Sequence, residues 1–277
     1  MLALAANISM LFTELPFADR FAAAAAAGFS AVEFAHTEEL SVDAIGNALA
    51  RNHLAQVLAT LPSTPGDKGL AAIAGAEAQF LQRLEEGLAA ASEVGCPLVH
   101  ITAGVVPDRD YESAKAVFHR NISNAVEVAE RRGITLVIEA INQHDVPGYF
   151  VRSLADAVGW VDRIAHPRLR VLVDFYHAHQ EGVPVSSTLQ AVKTHGAHVQ
   201  VAGAPGRSEP DTGQLDYAHV LRQLALEDYR GWIGCEYRPA ASTAAGLPWR
   251  EKLMPAAAHP RELARKEQLQ CFKETPQ

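Results

Sequence analysis

Eight short apolar runs punctuate the chain, and between them the apolar positions recur at helical spacing. The runs are Ala3–Ser9, Ala31–Phe34, Ala55–Leu61, Leu98–Thr102, Thr135–Glu139, Arg170–Asp174, Ala197–Val201 and Trp232–Glu236. Their length and their Val, Ile, Leu and Ala content fit strands buried on both faces. The segments between them carry legible helix ends. Thr13 and Pro16 open the first helix, which runs through an Ala-rich stretch to Gly28, and Ser41 is placed to cap a second that ends near Asn52. A long pattern from Gly75 to Val94 stops at Gly95, Tyr111–Arg132 stops at Gly133, Ser153 precedes Leu154–Ile164 with Pro167 beyond it, and Asp216 opens a helix through Leu226. Alternation of this kind predicts an α/β chain whose parallel strands close into a (β/α)8 TIM barrel rather than an open sheet. Residues 1–254 form that single barrel domain in this reading. From Ala240 onward Ala, Pro and Gly interrupt the pattern. A charged helix near Arg261–Phe272 is expected in a C-terminal helical extension, 255–277, packed outside the barrel or against a neighbouring subunit of a homo-oligomer.

Composition narrows the partners. A net charge of −8 over 277 residues counts against a nucleic-acid partner, which would need clustered Lys and Arg, but not against a small anionic substrate, which needs only local positive groups. Cys96, Cys235 and Cys271 are too few and too scattered for a disulfide framework, which suits a reducing cytoplasm. The opening M-L-A-L-A-A-N-I-S-M-L-F lacks a basic region and has Asn7 at its centre, so it reads as a first strand and not as a signal sequence. No apolar run approaches the roughly 20 residues that span a bilayer, so no membrane partner is expected.

The chemistry collects at strand ends. In R-V-L-V-D-F-Y-H-A-H (170–179) the side chains alternate, so Asp174 shares a face with Leu172 while Val171 and Val173 face the other way. Taken alone, Asp174 reads equally as a capping or salt-bridged acid. Yet the last inward positions of four successive strands are Glu139, Asp174, Gln200 and Glu236, at intervals of 35, 26 and 36 residues. Every strand of a parallel barrel points its C-terminal end at one mouth, so these four oxygen-bearing groups converge there. Three carboxylates in one mouth repel unless a positive charge lies between them. A divalent cation supplies it, and an all-oxygen ligand set favours Mg²⁺ or Mn²⁺ over Zn²⁺.

The segments N-I-S-M-L-F-T-E (7–14), V-E-F (32–34), I-E-A-I-N-Q-H-D-V-P-G-Y-F (138–150), V-D-F-Y-H (173–177), H-V-Q-V-A-G-A-P-G-R-S-E-P (198–210) and G-C-E-Y-R-P (234–239) together resemble the hydroxypyruvate isomerase family. That family includes the 2-oxo-tetronate isomerases and belongs to the xylose-isomerase-like barrels. The resemblance implies that Glu139, Asp174, Gln200 and Glu236 hold the metal. It implies further that Glu139 and Glu236 serve as acid and base in moving a carbonyl between adjacent carbons through an enediolate. His177 would then hydrogen-bond a substrate oxygen, and Arg207 would pair with the substrate carboxylate or a distal hydroxyl.

Weaker positions carry two readings each. Glu209 orients Arg207 or is a solvated loop acid. His100, Asn7 and Asn142 bind substrate or only satisfy buried polar groups. His198 and Glu33 are read as supports for neighbouring side chains, and Cys235 as packing toward the helices. The chain departs from the family in A-H-T-E-E-L (35–40), in Ala140 where a proline is usual and in Gly203 where an acid is usual. These departures touch the loops that select substrate and leave the metal positions intact. His36, within the first of them, is read as an exposed loop residue. Rival readings are a ketose 3-epimerase or sugar-acid dehydratase on the same site, a metal-dependent endonuclease, which the acidic balance opposes, and a non-enzymatic binding barrel.

Overall fold

The computed structural model describes residues 2–37, 39–64 and 66–254. Strands β1 (Ala3–Asn7), β2 (Ala31–Phe34), β3 (Ala55–Thr60), β4 (Leu98–His100), β5 (Thr135–Glu139), β6 (Leu169–Asp174), β7 (Gly196–Val201) and β8 (Trp232–Cys235) pair in parallel, each with the next. β8 closes on β1, so the eight-stranded barrel predicted from the alternating pattern is present. Several strands end a residue or two before the apolar run does, because the chain bends into the mouth loops. Single ladder bonds persist past those ends. Ile8 N donates to Glu33 O (2.9 Å), Ile101 N to Val137 O (2.9 Å) and Glu236 N to Val201 O (3.2 Å). The last of these keeps Glu236 in line with β8.

Helices α1 (Phe17–Ala26), α2 (Val42–Arg51), α3 (Glu77–Glu93), α4 (Tyr111–Arg131), α5 (Leu154–Ile164), α6 (Phe175–Gln180), α7 (Val185–His195) and α8 (Tyr217–Leu226) pack outside the strands. Ser41 caps α2 through Ala44 N, and Ser153 with Asp156 forms a reciprocal capping box on α5. Two helices between β6 and β7 were not anticipated. α6 follows Asp174 with no turn residue between strand and helix, and the Ser, Thr and Gln of α7 blur its apolar face. Two further turns, α9 (Thr243–Gly246) and α10 (Trp249–Leu253), fold back on the barrel, where Trp249 is fully buried and donates to the Tyr237 hydroxyl (3.0 Å). The expected extension over 255–277 lies outside the described residues. Among the described residues no helix is long and apolar enough to cross a membrane.

The main core lies between the strands' outer faces and the helices, and Cys235 sits in it as alternation required. Inside the ring Leu58, Val137 and Leu172 pack with Leu98 and Ala197. Leu98, Val137 and Leu172 stand two residues before His100, Glu139 and Asp174, so they form an apolar floor directly beneath those polar groups.

Candidate active site

A cavity of about 310 Å³ opens at the C-terminal ends of the strands, lined among others by Asn7, Glu33, His100, Glu139, His177, Gln200, Arg207 and Glu236. Its carboxylates differ in exposure. The Asp174 side chain is 0% exposed, Glu139 7% and Glu236 22%, so Glu236 is the one most open to an incoming molecule. Asp174 is not on the cavity wall. Its Oδ1 accepts from Tyr176 N (2.8 Å) and so caps α6, while its Oδ2 accepts from Arg207 Nη2 (3.0 Å). The capping and ion-paired reading of this acid is therefore part of its environment.

Arg207 lies on the loop after β7. Its Nη2 also donates to Glu236 Oε2 (2.6 Å), and its guanidinium stacks over the Tyr176 ring (4.9 Å). Burial works against that charge, but Glu236, Asp174 and Glu139 outweigh it and hold the guanidinium protonated. Burial raises the Asp174 carboxyl, opposed by Arg207 and the Tyr176 N–H. It pushes Glu236 up to about 7, again against Arg207. Glu139 is raised well above the usual carboxylate range by burial first, then by Glu236 and Asp174.

His177 owes its position to α6, which Asp174 starts, and its protonation pattern to Asn142. The Asn142 Oδ1 accepts from His144 N (3.0 Å) and Asp145 N (2.8 Å), which turns its Nδ2 toward His177 Nδ1 at 2.7 Å. An amide donor there makes Nδ1 the acceptor and leaves the proton on Nε2, a tautomer inferred from this network. Nε2 faces Glu139 Oε1 (3.8 Å) and Asp174 Oδ2 (3.7 Å). Burial, then Arg207, pushes the His177 pKa down to about 3, so the ring is neutral near pH 7. Arg207 Nη1 lies 3.2 Å from Nε2, a donor facing a donor, and adds no hydrogen bond in this tautomer.

Beneath the mouth a second network crosses the barrel. Glu33, fully buried, accepts from His198 Nε2 (2.5 Å), Gln200 Nε2 (2.7 Å) and Asn7 Nδ2 (3.1 Å). Asn7 Nδ2 also reaches Glu236 Oε1 (3.1 Å) and so ties this network to the mouth. Gly234 makes room for it: a Cβ there would stand 2.4 Å from both Glu33 carboxylate oxygens.

The structure brings Glu139, Asp174, Gln200 and Glu236 to one end of the barrel, with His177, Arg207, Asn7 and His100 beside them. Two of the positions with double readings lie away from the cavity. Asn142 is fully buried behind His177 and does not line the cavity. Glu209 turns away from it, because its carboxylate accepts from Ala240 N (3.0 Å) and fills the space left by Gly246. It neither orients Arg207 nor is solvated. His100 Nε2 is 3.6 Å from Glu139 Oε2, too long for a hydrogen bond, and burial pushes its pKa down to about 4. His36 does not line this cavity. Asp145, Thr102 and Lys68 do, and sequence reasoning passed over them. The G-D-K-G turn at 66–69, charged and flanked by glycines, was the available signal for Lys68.

Two buried oxygens speak to a cation. Glu139 Oε1 and Gln200 Oε1 have no hydrogen-bond partner, and the Gln200 amide cannot turn over because its Nε2 must face the Glu33 carboxylate. An unpaired buried carboxylate is costly, and orphaned oxygen acceptors are what a hard cation satisfies. Ligand atoms of Glu139, Asp174 and His177 also lie within 4.8 Å of one another. The donor set fits a divalent metal.

Comparison with known proteins places these features in company. A family model for the xylose isomerase-like TIM barrel matches residues 21–273. The 2-oxo-tetronate isomerase of Cupriavidus necator is 39% identical over 251 residues, spanning 88% of this chain and 96% of that protein. The hydroxypyruvate isomerase of Escherichia coli is 32% identical over 253 residues, spanning 90% and 98%. A solved structure from Brucella melitensis, described as an AP endonuclease of family 2, superposes with a TM-score of 0.88 at 35% identity, covering 92% of this chain and all of its own.

Proposed function

The chain belongs to the xylose isomerase-like TIM barrel family, and from that premise we propose that it is a metal-dependent isomerase acting on a small hydroxylated 2-oxo acid. The substrate is of the hydroxypyruvate and tartronate semialdehyde type, or a 2-oxo-tetronate. The names of the curated relatives support an isomerase. The observation that carries the finer reading is the presence of Glu139 and Glu236 at one mouth, together with the orphaned Glu139 and Gln200 oxygens.

Glu139, Asp174, Gln200 and Glu236 would hold Mg²⁺ or Mn²⁺, each carboxylate oxygen having a second lone pair beyond its present bond. Bound there, the ion supplies a fixed positive charge that favours negative charge developing on the substrate oxygens. The remaining work falls to the chain. Glu139 and Glu236 divide the removal and return of the proton between adjacent carbons. Asn7 holds Glu236 Oε1, and Arg207 holds Oε2, so the carboxylate keeps one orientation. The neutral His177, its tautomer set by Asn142, donates from Nε2 to a substrate oxygen. The apolar floor of Leu98, Val137 and Leu172 keeps water from reaching the site from below. A cavity near the small end of ligand pockets suits a three- or four-carbon acid, and the net charge of −8 disfavours a polyanion such as DNA.

The test is product analysis in deuterated water. With Mn²⁺ or Mg²⁺ supplied, NMR is expected to show a shifted carbonyl with deuterium at the receiving carbon. Chelation should abolish that turnover and lower the melting temperature, and added metal should restore both. An inverted hydroxyl centre or loss of water in place of the carbonyl shift would replace the isomerase by an epimerase or dehydratase.

A further inference from the structure

The proposed substrate is an anion, yet the mouth is crowded with carboxylates. The cations facing it can be counted among the described residues. His177 is held by Asn142 with Nε2 facing Glu139 and Asp174, and His100 lies 3.6 Å from Glu139, so both rings are turned to the protein's own acids. Arg207 is already held between Asp174 and Glu236. Lys68 lines the same cavity, is exposed, and has no hydrogen bond or ion pair among the described residues.

Lys68 also sits on a built loop. Its neighbour Asp67 is ion-paired with Arg83 of α3, accepts from Gly69 N (2.5 Å) and donates its own N–H to Thr64 O (3.0 Å). Asp67 is therefore satisfied from elsewhere and does not neutralise Lys68. On the other side Gly69 bridges antiparallel to Ala103, and Ala72 N donates to Ala103 O (2.8 Å). Gly69 takes φ +104°, and a Cβ there would stand 2.1 Å from Thr102 O. Only glycine lets the loop after β3 lie this close to the loop after β4. The backbone on both sides of Lys68 is pinned while its side chain stays free.

Position completes the case. β3 and β7 stand four places apart in a ring of eight, so the loops bearing Lys68 and Arg207 face each other across the mouth. Asp174 and Glu236 flank Arg207, so its charge is already shared between two carboxylates of the protein. The opposite side offers Ser63, Thr102 and an uncompensated ammonium.

We propose that Lys68 receives the substrate's carboxylate and sets the preference for acids over neutral sugars, while Arg207 serves the protein's own acids. The inference rests on the 2-oxo acid reading above. It directs the carbonyl end of the substrate to the Glu139 and Glu236 side and the acid end to the loop after β3.

The test uses the metal-loaded full chain with Lys68→Met and Lys68→Arg. Glycerate carries the carboxylate and hydroxyls but has no carbonyl to isomerise, so calorimetry reads its binding apart from turnover. Lys68→Met is expected to weaken glycerate by about tenfold or more, the scale of one charge-assisted hydrogen bond, and to raise KM for hydroxypyruvate in parallel. Lys68→Arg should recover most of both. Glycerate binding as tightly to Lys68→Met as to the parent, or not binding the parent, overturns the proposal. If the parent turns over no 2-oxo acid while glycerate affinity still follows the charge at position 68, the isomerase reading falls and the carboxylate site stands.

Discussion

The two halves of the barrel mouth are built on different principles. The half from β5 to β8 delivers Glu139, Asp174, Gln200 and Glu236 from strand ends, with Arg207 and His177 close behind. Glu139, Asp174, Gln200 and His177 are buried, Arg207 ties Asp174 to Glu236, and the four strand-end groups are placed by the sheet itself. From β1 to β4 the wall is mixed: Asn7 and His100 come from strands, but Ser63, Lys68 and Thr102 come from loops that lean over the opening. Under the proposed function, one half would carry the proton chemistry and the other would meet the variable part of a substrate. The contrast is what a parallel barrel permits, since strand ends are fixed by the closed ring while the loops are free to differ.

The sharpest way to break this contrast is to remove an acid from the rigid half. Glu236→Gln and Glu139→Gln are each expected to reduce isomerase turnover by about 10²- to 10⁴-fold. Circular dichroism and melting should remain those of a folded barrel, since neither carboxyl anchors a strand. Near-parental turnover of either variant would remove that residue from the proton transfer.

This division also explains what could be read before the fold was known. A strand buried on both faces is an apolar run, so a polar group at its last inward position stands out, and Glu139, Asp174, Gln200 and Glu236 were visible for that reason. α6 was not visible, because Asp174 ends a strand and caps a helix at once, and F-Y-H-A-H-Q has no turn residue to mark the change. Nor was the reach of Glu33 across the ring to His198 and Gln200. It depends on Gly234 standing opposite, and no local pattern reports which residue faces which across a barrel. The setting of Glu209 is not legible, because a loop of Gly, Pro and polar residues does not tell which side chains turn inward. Lys68 was passed over for the same reason.

Gly234→Ala tests the link between the halves. The new methyl would overlap the Glu33 carboxylate and push it off His198, Gln200 and Asn7. Overpacking of this kind costs about 1–3 kcal/mol, and chemical denaturation is expected to show it. Because Asn7 joins Glu33 to Glu236, turnover should fall as well. A stable and fully active Gly234→Ala would mean that the cross-barrel network does not support the mouth.

A smaller effect is expected at Asn142. Asn142→Ala removes the amide that keeps the His177 proton on Nε2, so turnover should drop about tenfold, while KM changes less. The pH profile is the informative readout. His177 is kept neutral by burial and by Arg207, not by Asn142, so the profile should keep its shape while its height falls. A shifted acid limb would instead assign Asn142 a role in the ring's charge.

The smallest change separates two residues of one loop. Arg207 and Glu209 are two positions apart, yet Arg207 faces the mouth and Glu209 faces Ala240 and Gly246. Glu209→Gln keeps an oxygen for Ala240 N but gives up the charge that strengthens that bond, a loss of about 0.5–1.5 kcal/mol. A modest fall in the denaturation midpoint is therefore expected, with KM for the 2-oxo acid unchanged. A rise in KM without loss of stability would turn Glu209 back toward the substrate and redraw the border of the site on its β7 side.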